Sequence, residues 1–151
     1  MAKTNASPAT TRRTGTTTTS KARKAIRPRA RTAAAKLPKA VSIAIQAARD
    51  RKASDVVVLD LRKAGGFTDF FVICTGNNPR QIVAIADAVR ETLKKELGER
   101  PALSEGVDRS EWVLLDYFNF VVHVFSRECR SFYALERLWG NAQRIEFPNE
   151  D

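Results

Sequence analysis

At 151 residues, with 43% hydrophobic and 28% charged side chains, the chain has the makeup of one soluble globular domain, and no apolar run approaches the ~18 residues that span a bilayer. Two cysteines, Cys74 and Cys129, both in apolar surroundings, argue against a disulfide framework and for buried thiols in a reducing compartment. The net charge of +9 is split unevenly: residues 1–40 hold 11 Lys or Arg and no acid, while residues 41–151 hold 15 basic and 17 acidic side chains, so a basic segment precedes a slightly acidic body.

Residues 1–37 are rich in Ala, Thr, Lys and Arg, with TTTTS at 16–20 and KARKAIRPRAR at 21–31, and hardly any large apolar side chain beyond Ile26. Such a segment has no core to offset the entropy of ordering, which predicts a disordered basic tail. Three roles fit it. Arg23, Lys24, Arg27, Arg29 and Arg31 are candidates for contact with RNA, since each neutralised phosphate releases counterions. The tail also fits an inert extension, or a transit peptide, although the opening MAKTNASPATT lacks the apolar stripe of an amphipathic presequence.

From residue 38 the pattern changes, and residues 38–147 are read as one domain followed by a short tail at 148–151. Val41, Ala44, Ile45 and Ala48 recur at helical spacing. DVVVLDL (55–61) and TDFFVICTG (68–76) are β-branched and aromatic runs whose consecutive apolar residues suit central strands. The helix over 77–98 is well marked, with Asn78 as its cap, Pro79 in its first turn, Gly98 at its end, and Ile82, Ile85, Ala86, Val89, Leu93 and Leu97 on one stripe. Residues 98–110 read as a loop by their Gly, Pro and Ser content. Trp112–Tyr117 and Phe120–Phe125, separated by Phe118-Asn119, form a hairpin. Alternation puts Trp112, Leu114 and Asp116 on one face of the first strand and Val113, Leu115 and Tyr117 on the other. A helix capped by Ser126 follows, with Phe132, Leu135 and Trp139 pointing inward and Gly140 closing it, and Arg144–Phe147 could add an edge strand.

This order predicts an α/β domain with a small mixed β-sheet and about three helices, a layout similar to nucleotidyltransferase domains. The strands are apolar on both faces, and three helices are a thin cover for such a sheet. Some apolar surface should be left for another molecule.

Catalytic readings fail one by one. Cys74 and Cys129 sit in apolar contexts that raise a thiol's pKa, and His123 lies mid-strand between Val122 and Val124. Two Cys and one His without paired spacing do not make a zinc site. Asp60, Asp69 and Asp116 are dispersed, and no D-x-D pair follows a Gly-Ser turn to hold Mg²⁺. Neither Gly65-Gly66 nor Gly76 belongs to a phosphate-binding glycine pattern. The expectation is a non-enzyme with no catalytic residues, metal or cofactor.

Three blocks in order, TDFFVICTGNNPRQIVAIADAV, EG…EWVLLDY and VVHVFSRECRSFYALERLW, closely resemble the ribosomal silencing factor family (RsfS, the Iojap-like proteins) from about Lys39 to Ala142. The resemblance implies a translational repressor that binds the large ribosomal subunit through its L14-type ribosomal protein. It would sterically block joining of the small subunit when nutrients are short. It also implies a nucleotidyltransferase-like fold without the catalytic carboxylates. The family's partner surface carries over to Trp112, Asp116 and Tyr117 in the EWVLLDY block, with Asp116 as a charge partner at the rim. For Asp69 and Arg80 a structural role is favoured, at a strand start and in a helix first turn. Phe118-Asn119 departs from the Gly-Asp of the family's hairpin: either the turn changes type or Phe118 lies exposed at its tip and joins the interface. A cytoplasmic location follows, or an organellar one if the tail is a transit peptide. Alternatives are an organellar large-subunit assembly factor, a nucleotidyltransferase-like nucleotide-binding enzyme, and pairing of the apolar face with a second copy.

Overall fold

Six strands form one mixed sheet in a computed structural model that describes residues 36–149. In chain order the elements are α1 (Lys39–Asp50), β1 (Ser54–Asp60), β2 (Phe70–Thr75), α2 (Pro79–Leu97) and β3 (Leu103–Glu105), then β4 (Trp112–Asp116), β5 (Phe120–Phe125), α3 (Arg127–Tyr133), the single turn α4 (Leu135–Leu138) and β6 (Gln143–Phe147). The sheet order is β3-β4-β5-β2-β1-β6, with β2 and β5 parallel and every other pair antiparallel. The basic tail, with Arg23, Lys24, Arg27, Arg29 and Arg31, lies outside the described residues.

The two central strands β2 and β5 are buried at all six positions each, as expected of strands covered on both sides. One face carries Val58, Val72, Cys74, Val113, Leu115, Val122 and Val124, and α1 and α2 lie over it. The apolar stripe of α2 is buried through Ile82, Ile85, Ala86, Val89 and Leu93, each such burial contributing roughly 1.5–3 kcal/mol for the larger side chains. The Asn78 side chain accepts the Gln81 N–H at 2.8 Å, and Gly98 ends the helix at φ +68. Gln81 also donates to the carbonyls of Arg51 and Lys52, both at 3.1 Å, tying the end of α1 to the start of α2. Arg80 occupies the first turn of α2 and is exposed.

The opposite face holds Val57, Leu59, Phe71, Ile73, Val121 and Phe125, and here the cover is thinner. Trp112, Leu114, Cys129, Leu135, Trp139 and Ala142 pack on it while staying only half-buried. The predicted third helix is not continuous. Ala134 adopts φ +46, which splits the segment into α3 and α4 and caps α3 by donating its N–H to the Arg130 carbonyl at 2.9 Å. The break turns Phe132 outward, 80% exposed, against the inward position that unbroken helical spacing gives it. Leu135 and Trp139 do face the sheet.

The loop predicted over 98–110 contains β3, which pairs with β4 from Leu103↔Asp116 to Glu105↔Leu114. The closing edge strand is present as β6, paired along β1. The chain does not fray immediately after it: Pro148 accepts from Arg49 Nη2 at 2.9 Å, and Asn149 Oδ1 accepts the Asp55 N–H at 2.7 Å.

Candidate partner interface

Successive residues of β4 face opposite ways, so Trp112 and Tyr117 fall on different sides of the sheet. Tyr117 lies on the helix-covered side, 7% exposed and stacked on Phe120 at 4.9 Å. Burial pushes its hydroxyl up to about 12, and the hydroxyl has no partner among the described residues. Tyr117 therefore offers little area to solvent and supports the hairpin from behind.

Trp112 sits on the thinly covered side, in a continuous row of rings. Phe132 meets Tyr133 at 5.0 Å, Tyr133 meets Trp112 at 4.5 Å, and Trp112 meets His123 at 5.9 Å. His123 then meets Phe71 edge-on at 4.5 Å, and Phe71 meets Phe67 at 6.0 Å and Trp139 at 6.2 Å. His123 and Phe71 in the row are buried, Trp112 is half-buried, and the ends are open: Phe67 is 77% exposed and Phe132 80%, while Tyr133 and Leu138 add further exposed area. Rings fixed by their neighbours lose little freedom on docking, which is why such rows suit partner contact.

His123 fixes the centre of the row. Trp112 Nε1–H donates to His123 Nδ1 at 3.0 Å, so the neutral ring carries its proton on Nε2, which has no partner among the described residues. Burial among Phe71, Trp112 and Phe125 disfavours the charged ring and lowers its pKa to about 3. A base so far from neutrality and so enclosed is a packing group, as its mid-strand position suggested.

Asp116 shares the Trp112 side, but its carboxylate is engaged within the hairpin, accepting the Phe118 N–H at 2.8 Å. The Phe118-Asn119 connection closes as a γ-turn: Asn119 N–H donates to the Tyr117 carbonyl at 2.9 Å and Phe118 has φ +78. The turn type does change, and it leaves Phe118 79% exposed at the tip. A bulky residue at this φ is held by its surroundings. The Thr68 hydroxyl donates to the Phe118 carbonyl at 2.9 Å, and Asp69 N–H donates to the Asn119 carbonyl at 3.0 Å. Asp69 thus acts through its backbone at the start of β2.

Cys74 is fully buried, with its thiol pushed up to about 12 by desolvation, and Cys129 is half-buried beside Glu111. Among the described residues no group of three or more His, Cys, Asp or Glu could hold a metal ion, and no helix is long and apolar enough to cross a membrane.

Residues 34–151 match the family described as "Ribosomal silencing factor during starvation". The ribosomal silencing factor RsfS of Halalkalibacterium halodurans is 39% identical over 106 residues, covering 70% of this chain and 90% of that protein. A protein named Iojap, chloroplastic, from Arabidopsis thaliana is 38% identical over 104 residues, 69% of this chain and 43% of that longer protein. Among solved structures, a Chromobacterium violaceum protein superposes with a TM-score of 0.64 at 37% identity, covering 68% of this chain and 84% of that one.

Proposed function

The chain belongs to the ribosomal silencing factor family, and from that premise we propose that it represses translation by obstruction, under nutrient limitation. It seats its thinly covered sheet face on the L14-type ribosomal protein of the large subunit, and its bulk then keeps the small subunit from joining. The observation that carries this reading is the ring row from Phe132 through Trp112 to Phe67, apolar, held in place, and open at both ends. Trp112 is its anchor, Tyr133, Phe132 and Leu138 its exposed border, and Asp116 the nearest carboxylate of the hairpin. The acidic balance of residues 41–151 suits a basic ribosomal-protein partner, and the basic tail suits the rRNA around it. The protein acts in the cytoplasm, on complete large subunits.

The test uses purified full-length protein sedimented with large subunits and with joined ribosomes. The protein is expected on large subunits and absent from joined ribosomes. The Phe132→Ala/Leu138→Ala double variant, altering two side chains whose exposure makes them dispensable for folding, should lose at least about tenfold in affinity. Wild-type sedimentation of that variant would remove the ring row as the contact surface. Equal binding to joined ribosomes would remove obstruction as the mechanism.

A further inference from the structure

Residues 41–151 carry more acid than base, yet four of their arginines, Arg127, Arg130, Arg137 and Arg144, line one open cleft of about 640 Å³ with only two carboxylates, Asp55 and Glu136. The cleft opens beside Thr75 at the carboxyl end of β2, where the chain after β5 enters α3, so it flanks the parallel pair at its carboxyl ends. Ligands of α/β sheets gather in that position.

The floor of the cleft is built rather than incidental. Arg130 is largely buried and donates from two nitrogens to the single oxygen Glu136 Oε2, at 3.1 Å from Nε and 2.5 Å from Nη2. Its Nη1 donates to the Asp55 carbonyl at 2.6 Å and to Thr75 Oγ1 at 2.8 Å. The Asp55 carbonyl is brought there by an irregularity in β1 between Ser54 and Val57, where Asp55 itself takes φ +51. A kinked strand, a buried arginine and the C-terminal helical segment are thereby locked to one another. Around this floor stand guanidinium groups with spare donors. Arg127 uses Nη2 on Asn77 Oδ1 at 3.2 Å, and Arg144 pairs with Glu146 at 2.9 Å. Arg137 is exposed, and its guanidinium forms no ion pair or hydrogen bond among the described residues. The Glu136 carboxylate is occupied by Arg130, which leaves Asp55 as the other acid in the lining.

We propose that this cleft binds phosphate groups, with Arg127 and Arg137 as the mobile donors and the Arg130–Glu136 pair as the fixed floor. All four cations are arginine, whose planar fork matches phosphate oxygens bidentately where lysine would act as a point charge. A tetrahedral phosphate can accept from forks arriving on several sides. The cleft is wide and its rim exposed, so an RNA backbone diester and the terminal groups of a free oligophosphate present the same chemistry to it. This goes beyond the ring-row interface: it uses other residues and requires no ribosomal protein.

The test is a residue-resolved NMR titration of the isotope-labelled full chain, so that any binding by residues 1–35 is read separately. Two probes are used, an eight-nucleotide uridine RNA and inorganic tripolyphosphate. Saturable shifts are expected at the amides of Thr75, Ser126, Arg130 and Ala134, with affinity at least tenfold weaker in Arg127→Ala/Arg137→Ala. Saturation by the RNA but not by tripolyphosphate at equal phosphate concentration assigns the site to a nucleic-acid backbone. Saturation by tripolyphosphate alone assigns it to a free oligophosphate. Shifts absent from the cleft, confined to residues 1–35, or undiminished in the variant overturn the proposal. Should the double variant unfold, Arg137→Ala alone serves, since its side chain supports nothing in the fold.

Discussion

His123 makes the stability of this domain depend on pH in a window that no other side chain of the sequence normally occupies. Its ring is 3% exposed and its pKa is lowered from 6.5 to about 3 by burial. The unfolded chain takes up a proton as pH falls through 6.5, and the folded chain does not until about pH 3. Stability is therefore full above pH 6.5 and is lost progressively between there and pH 3. From pH 7 to pH 5 the ring spends about 1.5 units below its unfolded value, which amounts to about 2 kcal/mol at 1.36 kcal/mol per unit. With a urea slope of about 1–2 kcal/mol per molar for a domain of this size, the midpoint should fall by roughly 1–2 M. The assay is urea unfolding at the two pH values, followed by tryptophan fluorescence, with Trp112 bonded directly to the ring as reporter. In His123→Gln, whose amide oxygen can still accept from Trp112, the baseline stability drops but the pH 7-to-5 loss should vanish. Asp60, held low by its hydrogen bonds to Arg62, moves stability only below its ordinary value of 3.8 and leaves this window untouched. A variant that kept the same pH 7-to-5 loss would refute the assignment of the dependence to His123.

Two glycines with similar φ should respond very differently to alanine. At Gly106 (φ +84) a Cβ would lie 1.9 Å from the Trp112 carbonyl oxygen, so Gly106→Ala should cost about 3 kcal/mol or more in urea unfolding and should disturb Trp112 fluorescence. At Gly98 (φ +68) nothing lies within 4 Å, and Gly98→Ala should cost only about 1 kcal/mol. Cys74, buried and with its thiol near 12, should resist a thiol reagent at pH 8 until denaturant is added; prompt labelling of both cysteines in the native protein would contradict its burial.

The elements that could be read from residues were those whose apolar pattern is dense: β1 and β2 carry uninterrupted runs, β5 a run broken only by His123, and α2 a full stripe. β3 was illegible because Leu103, Ser104 and Glu105 are all exposed, and a strand of three with no inward residue has no alternation to show. The break at Ala134 was hidden by the residue itself, since alanine is the best helix former and its left-handed conformation here runs against that preference. That one dihedral accounts for the misplacement of Phe132, and with it for Tyr133 and Leu138 being missed as the border of the ring row; the adjacent Phe132-Tyr133 pair was the available signal. Alternation placed Trp112 and Tyr117 on opposite faces, and the structure leaves the first half-buried and the second buried, a difference that a contiguous block carried over from a family does not show. The arginine cleft converges from α3, α4 and β6, and no local pattern announces such a meeting.

β6 has a duty that its place at the end of the described chain disguises. Without it, β1 would present the flank of Val56, Val57, Val58 and Leu59 with its amides and carbonyls unclaimed, the kind of edge along which other polypeptides polymerise. The strand that seals this flank is separated from it by nearly the whole domain; the closing bond runs from Asp55 to Asn149, 94 positions on. Once in place it shows the solvent Gln143, Arg144 and Glu146, a charged selvedge that invites no further strand. The last strand thus works as a guard against the company the first would otherwise keep.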